Sequence, residues 1–273
     1  MIMAWEEYKL LFAKADDLYA RARKGEVAVS GFLNPAEAHY LGKYAREMHM
    51  ESSVVFFGGY RGASRTKAFF LPDYIIDLCD KPYGDERDRE LLLYVTDDVA
   101  AAIGAVSIKG SGYRELSHRD YLGSILSLGI ERFVVGDIAA TGPYEAVVFA
   151  DAKIAGYIAT SLAKVASDDV KCSLVVVDED FSVPENVEEL VLSVASMRAD
   201  CIVGGLAKCS RADAQSLVKS GAVTLDYEEI SDPDKKISAP ALISVRGSGK
   251  FRVLDNGVET RRGRLRVRAE KFK

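Results

Sequence analysis

The sequence predicts an α+β protein built from three small domains, at residues 1–80, 81–182 and 183–273. Helical and strand periodicities occur in each third of the chain, and neither dominates. Proline-containing stretches at residues 81–85 and 181–186 interrupt these patterns and mark two boundaries. The length of 273 residues is enough for two or three such domains.

The formal net charge of −5 hides an asymmetry along the chain. Residues 198–273 contain 16 Lys and Arg against 10 Asp and Glu, a balance of +6. Residues 1–197 contain 20 against 31, a balance of −11. A basic C-terminal module on an acidic body indicates that a polyanion binds at one end, and it disfavours nucleic acid wrapped around the whole surface.

The bulk composition is that of a soluble globular protein, with 48% hydrophobic and 28% charged residues. The four cysteines form no Cys-x-x-Cys pair and have no histidine at ligand spacing, so we expect no metal, no disulfide framework and a reducing compartment. The N-terminal residues include Glu6 and Glu7 and no long apolar run. We therefore expect a cytoplasmic protein without signal peptide, membrane span or cofactor.

The first domain is expected to contain two helices and two strands. Apolar residues at helical spacing predict a helix over residues 4–24, and Asn34-Pro35 begins a second helix that ends near His49. Val54–Phe57 and Lys67–Leu71 have the pattern of buried strands.

The middle domain is predicted to be ferredoxin-like, the RRM-like arrangement in which two αβ units share one antiparallel sheet. Its helices begin at Ser117, with Asp120 as capping-box partner, and at Asp151. The order of strands within the sheet does not follow from the sequence. The expected strands are Leu91–Val95, Ala105–Lys109, Phe133–Ile138, Glu145–Phe149 and Ser173–Val177.

The C-terminal domain contains a short helix whose two ends are marked in the sequence. Ser210 is a candidate N-cap, Asp213 its capping-box partner, and Gly221 suits the left-handed residue after the helix. The solvent side presents Arg211, Gln215 and Lys219 at spacings of four residues, so they share one face. Arg211 also lies at the helix start, where backbone N–H groups attract anions.

This stretch resembles the alpha-L RNA-binding motif, first described in the fourth protein of the small ribosomal subunit. Residues 197–206 resemble the first helix of that motif, although Ala199 stands where Leu is usual, and Lys208 lies in the turn between the helices. The resemblance covers roughly residues 195–250. It implies that structured RNA contacts the helix pair and the following hairpin. The implied RNA-binding residues are Arg198, Lys208, Ser210, Arg211, Gln215, Lys219, Arg246 and Lys250.

Two simpler interpretations of the C-terminal charges stay open. The helix pair is also explained as a capped amphipathic hairpin with solvated charges. In the tail, Arg264, Arg266 and Arg268 share one face of a strand, and this face either contacts phosphate or is only a polar outer surface.

The stretch Ser117–Ile130, with its Ser-His-Arg-Asp-Tyr-Leu-Gly start, resembles the central signature of the YlmH family. Phe57–Tyr60 and Val135–Ile138 resemble short motifs of the same family, so the likeness extends over nearly the full length. It implies a second RNA-binding surface in the middle domain. Lys109, His118 and Arg119 beside a glycine turn would form a phosphate cradle there, and the alternative is a structural turn with one solvated arginine.

Three short motifs suggest catalysis or nucleotide binding but fail on closer inspection. His118-Arg119-Asp120 lacks the other kinase motifs, and Gly247–Lys250 lacks the first glycine and the Ser/Thr of a P-loop. Asp178-Glu179-Asp180 is better explained as a solvated acidic turn than as a metal site.

We therefore expect a non-catalytic, cytoplasmic RNA-binding protein. The YlmH resemblance implies binding of rRNA and tRNA on the large ribosomal subunit in ribosome-associated quality control. We expect a monomer that binds neither DNA nor membrane. The alternatives are an RNA-modifying enzyme with an appended RNA-binding module and a protein–protein adaptor.

Overall fold

A computed structural model describes residues 6–77, 97, 101–178, 181–183, 186–260 and 263–272. The predicted strand Leu91–Val95, the linker 81–85 and Cys79 lie outside the described residues, as do parts of the 181–186 boundary and of the C-terminal tail. The chain forms two compact units, Met1–Val183 (unit 1) and Pro184–Lys273 (unit 2). The division of unit 1 into two domains stays a prediction.

The described residues form helices and three antiparallel sheets, which confirms the α+β class. The helices are α1 Lys9–Ala22, α2 Pro35–Glu47, α3 Asp73–Ile76, α4 His118–Leu126, α5 Ala152–Ser161, α6 Ala199–Ala207 and α7 Arg211–Lys219. The strands of unit 1 are β1 Ala28–Val29, β2 Val54–Phe57, β3 Lys67–Phe70, β4 Ile103–Gly110, β5 Val135–Gly142, β6 Glu145–Asp151, β7 Lys164–Val165 and β8 Asp168–Val175. Those of unit 2 are β9 Val187–Val194, β10 Val223–Leu225, β11 Glu228–Glu229, β12 Ala241–Val245, β13 Gly249–Val253, β14 Val258–Glu259 and β15 Leu265–Phe272.

The N-terminal part of unit 1 packs α1 and α2 against the sheet β1-β3-β2. The start of α2 is as predicted, because the Asn34 side chain accepts from the backbone of Glu37 and the Glu37 carboxylate accepts from the backbone of Asn34. Pro35 occupies the first helical position, where a missing N–H costs nothing.

The second part of unit 1 has the strand order β5-β6-β4-β8-β7 with every pair antiparallel. Along the chain the elements run β4-α4-β5-β6-α5-β8, the connectivity of a ferredoxin-like unit. Helices α4 and α5 cover one face of this sheet, where Tyr121, Ile125 and Ile158 are buried.

Two predicted strand boundaries in this sheet are wrong. Residues 132–134 form a 3-10 helix, and the strand begins at Val135 rather than Phe133, whose carbonyl accepts from Phe32 instead of from a neighbouring strand. The last strand is Asp168–Val175, not Ser173–Val177, since its first half pairs with β4 up to Gly110.

Unit 2 consists of one sheet with α6 and α7 packed on one face. The sheet order is β11-β10-β12-β13-β15-β14, and β9 pairs along the full length of β15. The core includes Ile202, Val218, Phe251 and Val267. The predicted β12–β13 hairpin and the alternating strand β15 are both confirmed.

Candidate nucleic-acid interface

A tight turn joins helices α6 and α7, and the residues that end the first helix and cap the second can be recognised in the sequence. Lys208 ends α6 in the left-handed conformation at φ +53°. Ser210 then caps α7 by accepting from the backbone of Asp213 at 3.2 Å. The predicted capping box is only half formed, since the Asp213 carboxylate accepts from the Ser210 hydroxyl at 2.6 Å.

The polar side chains of the helix pair converge on Asp200, whose side chain is fully buried at 0% exposure. This carboxylate accepts from Arg211 Nε at 2.9 Å, from Gln215 Nε2 at 3.0 Å and from Arg198 Nε at 3.3 Å. Asp200 lies in the first turn of α6, and Arg211 and Gln215 lie one turn apart on α7. A single buried anion therefore fixes three of the predicted RNA-binding side chains at one place.

Asp200 remains ionised at neutral pH. Burial raises the pKa of Asp200, but hydrogen bonds from Gln215, Arg211 and Arg198 together lower it by more. The net result is a pKa well below the ordinary value. The same contact raises the pKa of Arg211. The carboxylate is thus a permanent counter-charge beneath the helix-pair surface.

Arg198 and Arg211 differ in how many of their N–H donors are already used within the protein. Arg198 is 36% exposed and pairs through Nη2 with both Asp200 and the exposed Asp234. Arg211 is 61% exposed and contacts Asp200 through Nε, and within the described residues neither of its Nη atoms has a partner. Arg211 is the better phosphate ligand, and Arg198 mainly orders the cluster.

The remaining predicted cations lie outside the cluster around Asp200. Lys208 and Lys219 are exposed and have no ion-pair partner in the part of the chain described. Lys208 lines a groove of about 340 Å³ with Ser248 and Lys271, at the turn that also carries Arg246.

Lys250, by contrast, lies on the sheet face away from the helices. Its neighbour Phe251 points into the core beneath α6 and α7, and strand alternation therefore directs Lys250 outward. There it contacts the rings of Tyr227 and Phe272. The family resemblance placed Lys250 with the helix pair, but it does not indicate which face of the sheet the side chain occupies.

In the middle part of unit 1, the start of α4 has the predicted capping box between Ser117 and Asp120. Arg114 adds an ion pair to Asp120 at 2.9 Å. Hydrogen bonds from Ser117 lower the pKa of Asp120, with Arg114 contributing. An acidic side chain therefore already occupies the helix start that was expected to bind phosphate.

The three predicted residues of this second surface lie on two elements. Lys109, at the end of β4, pairs with Glu145 at 3.6 Å. His118 and Arg119 begin α4, and both are exposed. Although the surface of His118 is exposed, partial desolvation by neighbouring residues lowers its pKa, Arg132 lowers it further and Asp137 opposes the shift, so His118 is mainly neutral at pH 7. Its contribution to a cationic cradle is correspondingly small.

Comparison with known proteins matches this region to one family. Residues 101–179 match the family model described as "Putative RNA-binding domain in YlmH". The chain is also similar to "Ribosome-associated protein quality control protein P2" of Bacillus subtilis (strain 168), with 28% identity over 248 residues, 90% of this chain and 87% of the relative. The chain is thus similar to a YlmH domain over residues 101–179, and its similarity to the Bacillus subtilis relative extends over most of its length.

A solved structure, "Cell division protein ylmH from Streptococcus pneumoniae", is similar at a TM-score of 0.44 and 17% identity. The matched region covers 62% of this chain and 91% of the Streptococcus pneumoniae chain.

Two of the short motifs that suggested the YlmH family hold unit 1 together. The Asp137 carboxylate accepts from the Tyr60 hydroxyl at 2.8 Å and from the backbone N–H groups of Ser64 and Arg65 at 2.6 and 3.0 Å. Arg65 in turn donates to the carbonyl groups of Phe32 and Val135. The motifs around Tyr60 and Asp137 therefore join the first 77 residues to the sheet that follows.

The glycines of these motifs are required by close packing. Gly59 has φ +103°, and a Cβ atom there would lie 2.4 Å from the Phe149 ring. A Cβ atom on Gly136 would lie 2.5 Å from the Phe32 ring. Both sites admit only glycine without displacement of an aromatic side chain.

The sheet face opposite α4 and α5 is partly covered. Phe149 is only 1% exposed, because Tyr60 stacks on it at 4.8 Å and Phe181 meets it edge-on at 5.7 Å. RNA-recognition domains of the RRM type stack bases on aromatic residues of this face. In this chain the N-terminal residues already occupy the aromatic position.

Other classes of site find no support among the residues that the structure describes. No helix there is long and apolar enough to cross a membrane. Likewise, no group of three or more His, Cys, Asp or Glu in the described ranges is placed to hold a metal ion. Cys172, Cys201 and Cys209 are free thiols.

Proposed function

We propose that this protein is a non-catalytic RNA-binding protein whose helix pair α6–α7 holds the backbone of structured rRNA or tRNA. We further propose that it acts on the large ribosomal subunit in ribosome-associated quality control, in the cytoplasm and as a monomer. The family model and the name of the Bacillus subtilis relative support an RNA-binding, ribosome-associated role.

The observation that carries the proposal is the convergence of Arg198, Arg211 and Gln215 on buried Asp200. A buried carboxylate costs desolvation energy, and its hydrogen bonds must offset that cost. The result is an arginine whose planar group is held by one nitrogen while two others face solvent. A guanidinium oriented in this way suits bidentate contact with phosphate oxygens.

Lys208 and Lys219 extend this positive surface beyond the cluster. Lys208 lies at the turn before α7 and Lys219 in its last turn, so most of the length of α7, roughly 14 Å at 1.5 Å per residue, lies between them. Such a row spans several phosphates of a folded RNA. Phosphate contacts fix position and affinity, whereas the shape of the RNA supplies selectivity. Ser210 and Gln215 add neutral hydrogen-bonding groups, and Arg246 adds a cation at the neighbouring hairpin turn.

We also propose a second RNA contact in the middle domain. Since Phe149 is covered, we place that contact at Lys109 and the first turn of α4, with His118 and Arg119, and not on the aromatic part of the sheet.

The proposal is tested by affinity for tRNA and purified large subunits over a series of salt concentrations. Contacts to about four phosphates predict an affinity loss of about a hundredfold between 50 and 200 mM salt. Arg211→Glu is expected to weaken binding of both RNAs and to reduce the salt dependence. Lys24→Glu, at an exposed position of unit 1, is the matched control. Unchanged affinity in Arg211→Glu would remove the helix pair from the interface.

Absence of catalysis is tested separately. Intact mass of a tRNA incubated with the protein and a cell extract is expected to equal that of the tRNA incubated with extract alone. A protein-dependent mass change would favour the RNA-modifying alternative.

A further inference from the structure

Unit 2 carries a second basic surface, on the sheet face opposite α6 and α7. We infer that this outer sheet face binds an unpaired strand of RNA, distinct from the structured RNA held by the helix pair. The inference rests on the proposed RNA-binding function and adds a second ligand class to it. The outer sheet face comprises Tyr227, Lys250, Arg252, Arg264, Arg266, Arg268 and Phe272.

Strand β15 and the residue before it supply a regular row of arginines. Val267 and Ala269 are buried in the core of unit 2, and Arg264, Arg266 and Arg268 are exposed on the other side. Side chains two residues apart on a strand are spaced by roughly 7 Å. This distance is comparable to the step between successive phosphates of an extended nucleic-acid strand.

The adjacent strand β13 widens the row into a surface. Arg252 pairs in register with Glu270 of β15 and donates to its carboxylate at 3.2 Å. Lys250 lies two residues before Arg252 and therefore points the same way. The outer sheet face thus carries five cations, and the carboxylates near it include Glu189, Asp255 and Glu270, with Asp226 beside Tyr227.

The arginines of the row differ in how they are held. Arg264 donates to the side chain and the backbone of Ser193, and Arg268 pairs with Asp255 at 2.7 Å. Arg266 lies between them, and its side chain has no hydrogen-bond or ion-pair partner among residues 186–260 and 263–272 or elsewhere in the described chain. Like charges aligned on one face repel each other unless an anion lies between them. The row therefore favours a polyanionic ligand, with Arg266 as its uncompensated cation.

The outer sheet face has aromatic rings in addition to the cations that would bind phosphate groups. Lys250 lies 5.3 Å from the Tyr227 ring and 5.5 Å from the Phe272 ring, and Arg252 lies 4.9 Å from Phe272. Bases stack on such rings and on guanidinium planes only when they are not paired in a duplex. A sheet face with a row of exposed arginines and, at one end, half-buried rings beside Lys250 and Arg252 therefore matches a single strand better than a double helix or an acidic protein.

The test uses the full chain and a labelled uridine 12-mer, which has no stable structure of its own. Arg266→Glu is expected to weaken 12-mer binding by roughly threefold to tenfold, and Arg266→Gln is expected to lower the salt dependence by about 0.7 in slope. Both variants are expected to leave tRNA affinity at the helix pair within twofold. Because Arg266 is exposed and unpaired among the described residues, circular dichroism is expected to show an unchanged fold.

The outcomes separate this inference from the proposed function. Loss of tRNA binding in Arg211→Glu with unchanged 12-mer binding in Arg266→Glu would overturn the inference alone. Failure of the wild-type protein to bind the 12-mer would also overturn it. Equal binding of a glutamate 12-mer peptide would identify a surface for acidic protein and would contradict an RNA strand as the ligand.

Discussion

Arg211 donates its Nε–H group to the buried carboxylate of Asp200 at 2.9 Å, which joins the second helix of the C-terminal pair to the first. The contact positions an exposed cation by means of a buried anion. Structure and proposed binding in unit 2 therefore depend on the same carboxylate, and substitution of Asp200 is expected to change both.

Asp200→Asn is expected to lower the free energy of unfolding of unit 2 by about 2 kcal/mol, because charge-assisted hydrogen bonds to a buried carboxylate are lost. It is also expected to weaken tRNA binding, since Arg211 loses its fixed orientation. Urea unfolding and tRNA affinity measure the two effects. Asp234→Asn is the control, because Asp234 is 65% exposed and its pair with Arg198 contributes at most about 1 kcal/mol.

The stability of unit 2 is expected to fall at acidic pH. The pKa of Asp200 is lower in the folded state than its ordinary value of about 4, so the carboxylate stabilises the fold fully above that pH. This stabilisation is lost progressively as the pH falls from about 4 towards the lowered folded pKa. The measurement is the free energy of unfolding between pH 7 and pH 2 for wild type and Asp200→Asn. The difference between the two proteins is expected to shrink below pH 4, and a constant difference would contradict the assignment.

Gly59→Ala is expected to destabilise unit 1 by more than about 2 kcal/mol, because the new methyl group would overlap the Phe149 ring and the residue has φ +103°. Gly62→Ala is a matched control, since Gly62 has φ +85° but no neighbouring atom within 4 Å of the position that the methyl group would take. That control isolates the backbone cost, about 1 kcal/mol. Equal melting temperatures of the two variants would show that the contact with Phe149 is unimportant.

Asp137→Ala is expected to loosen the N-terminal residues from the following sheet. It removes the acceptor of the Tyr60 hydroxyl and of two backbone N–H groups, those of Ser64 and Arg65. Hydrogen exchange of the Ser64 and Arg65 amides is expected to accelerate well beyond that of amides in α1. Unchanged protection at both residues would contradict this role.

Local signals in the sequence predicted much of the fold. The caps at Asn34, Ser117 and Ser210 and the alternation of β15 depend on neighbours within a few residues, and all are found. The 3-10 turn before Val135 was missed because its cause is long-range, the contact of Phe133 with Phe32.

The candidate site was only partly predictable for the same reason. Arg211 and Gln215 were identified from helical spacing and Arg198 from the family resemblance, but their common partner Asp200 was not given a role. Its charge next to an apolar run was the available signal, since a buried acid in a helix requires cationic partners. Placement of Lys250 required knowledge of which side of the sheet the helices cover.

The most direct test of the central claim is photo-crosslinking from Ala212, an exposed position beside Arg211 on α7. A benzophenone residue at Ala212 is expected to crosslink to rRNA or tRNA in cells, whereas the same residue at Leu10, 79% exposed in unit 1, is expected to give little RNA crosslinking. Absence of RNA crosslinks from Ala212, or an equal yield from Leu10, would contradict an RNA-binding helix pair.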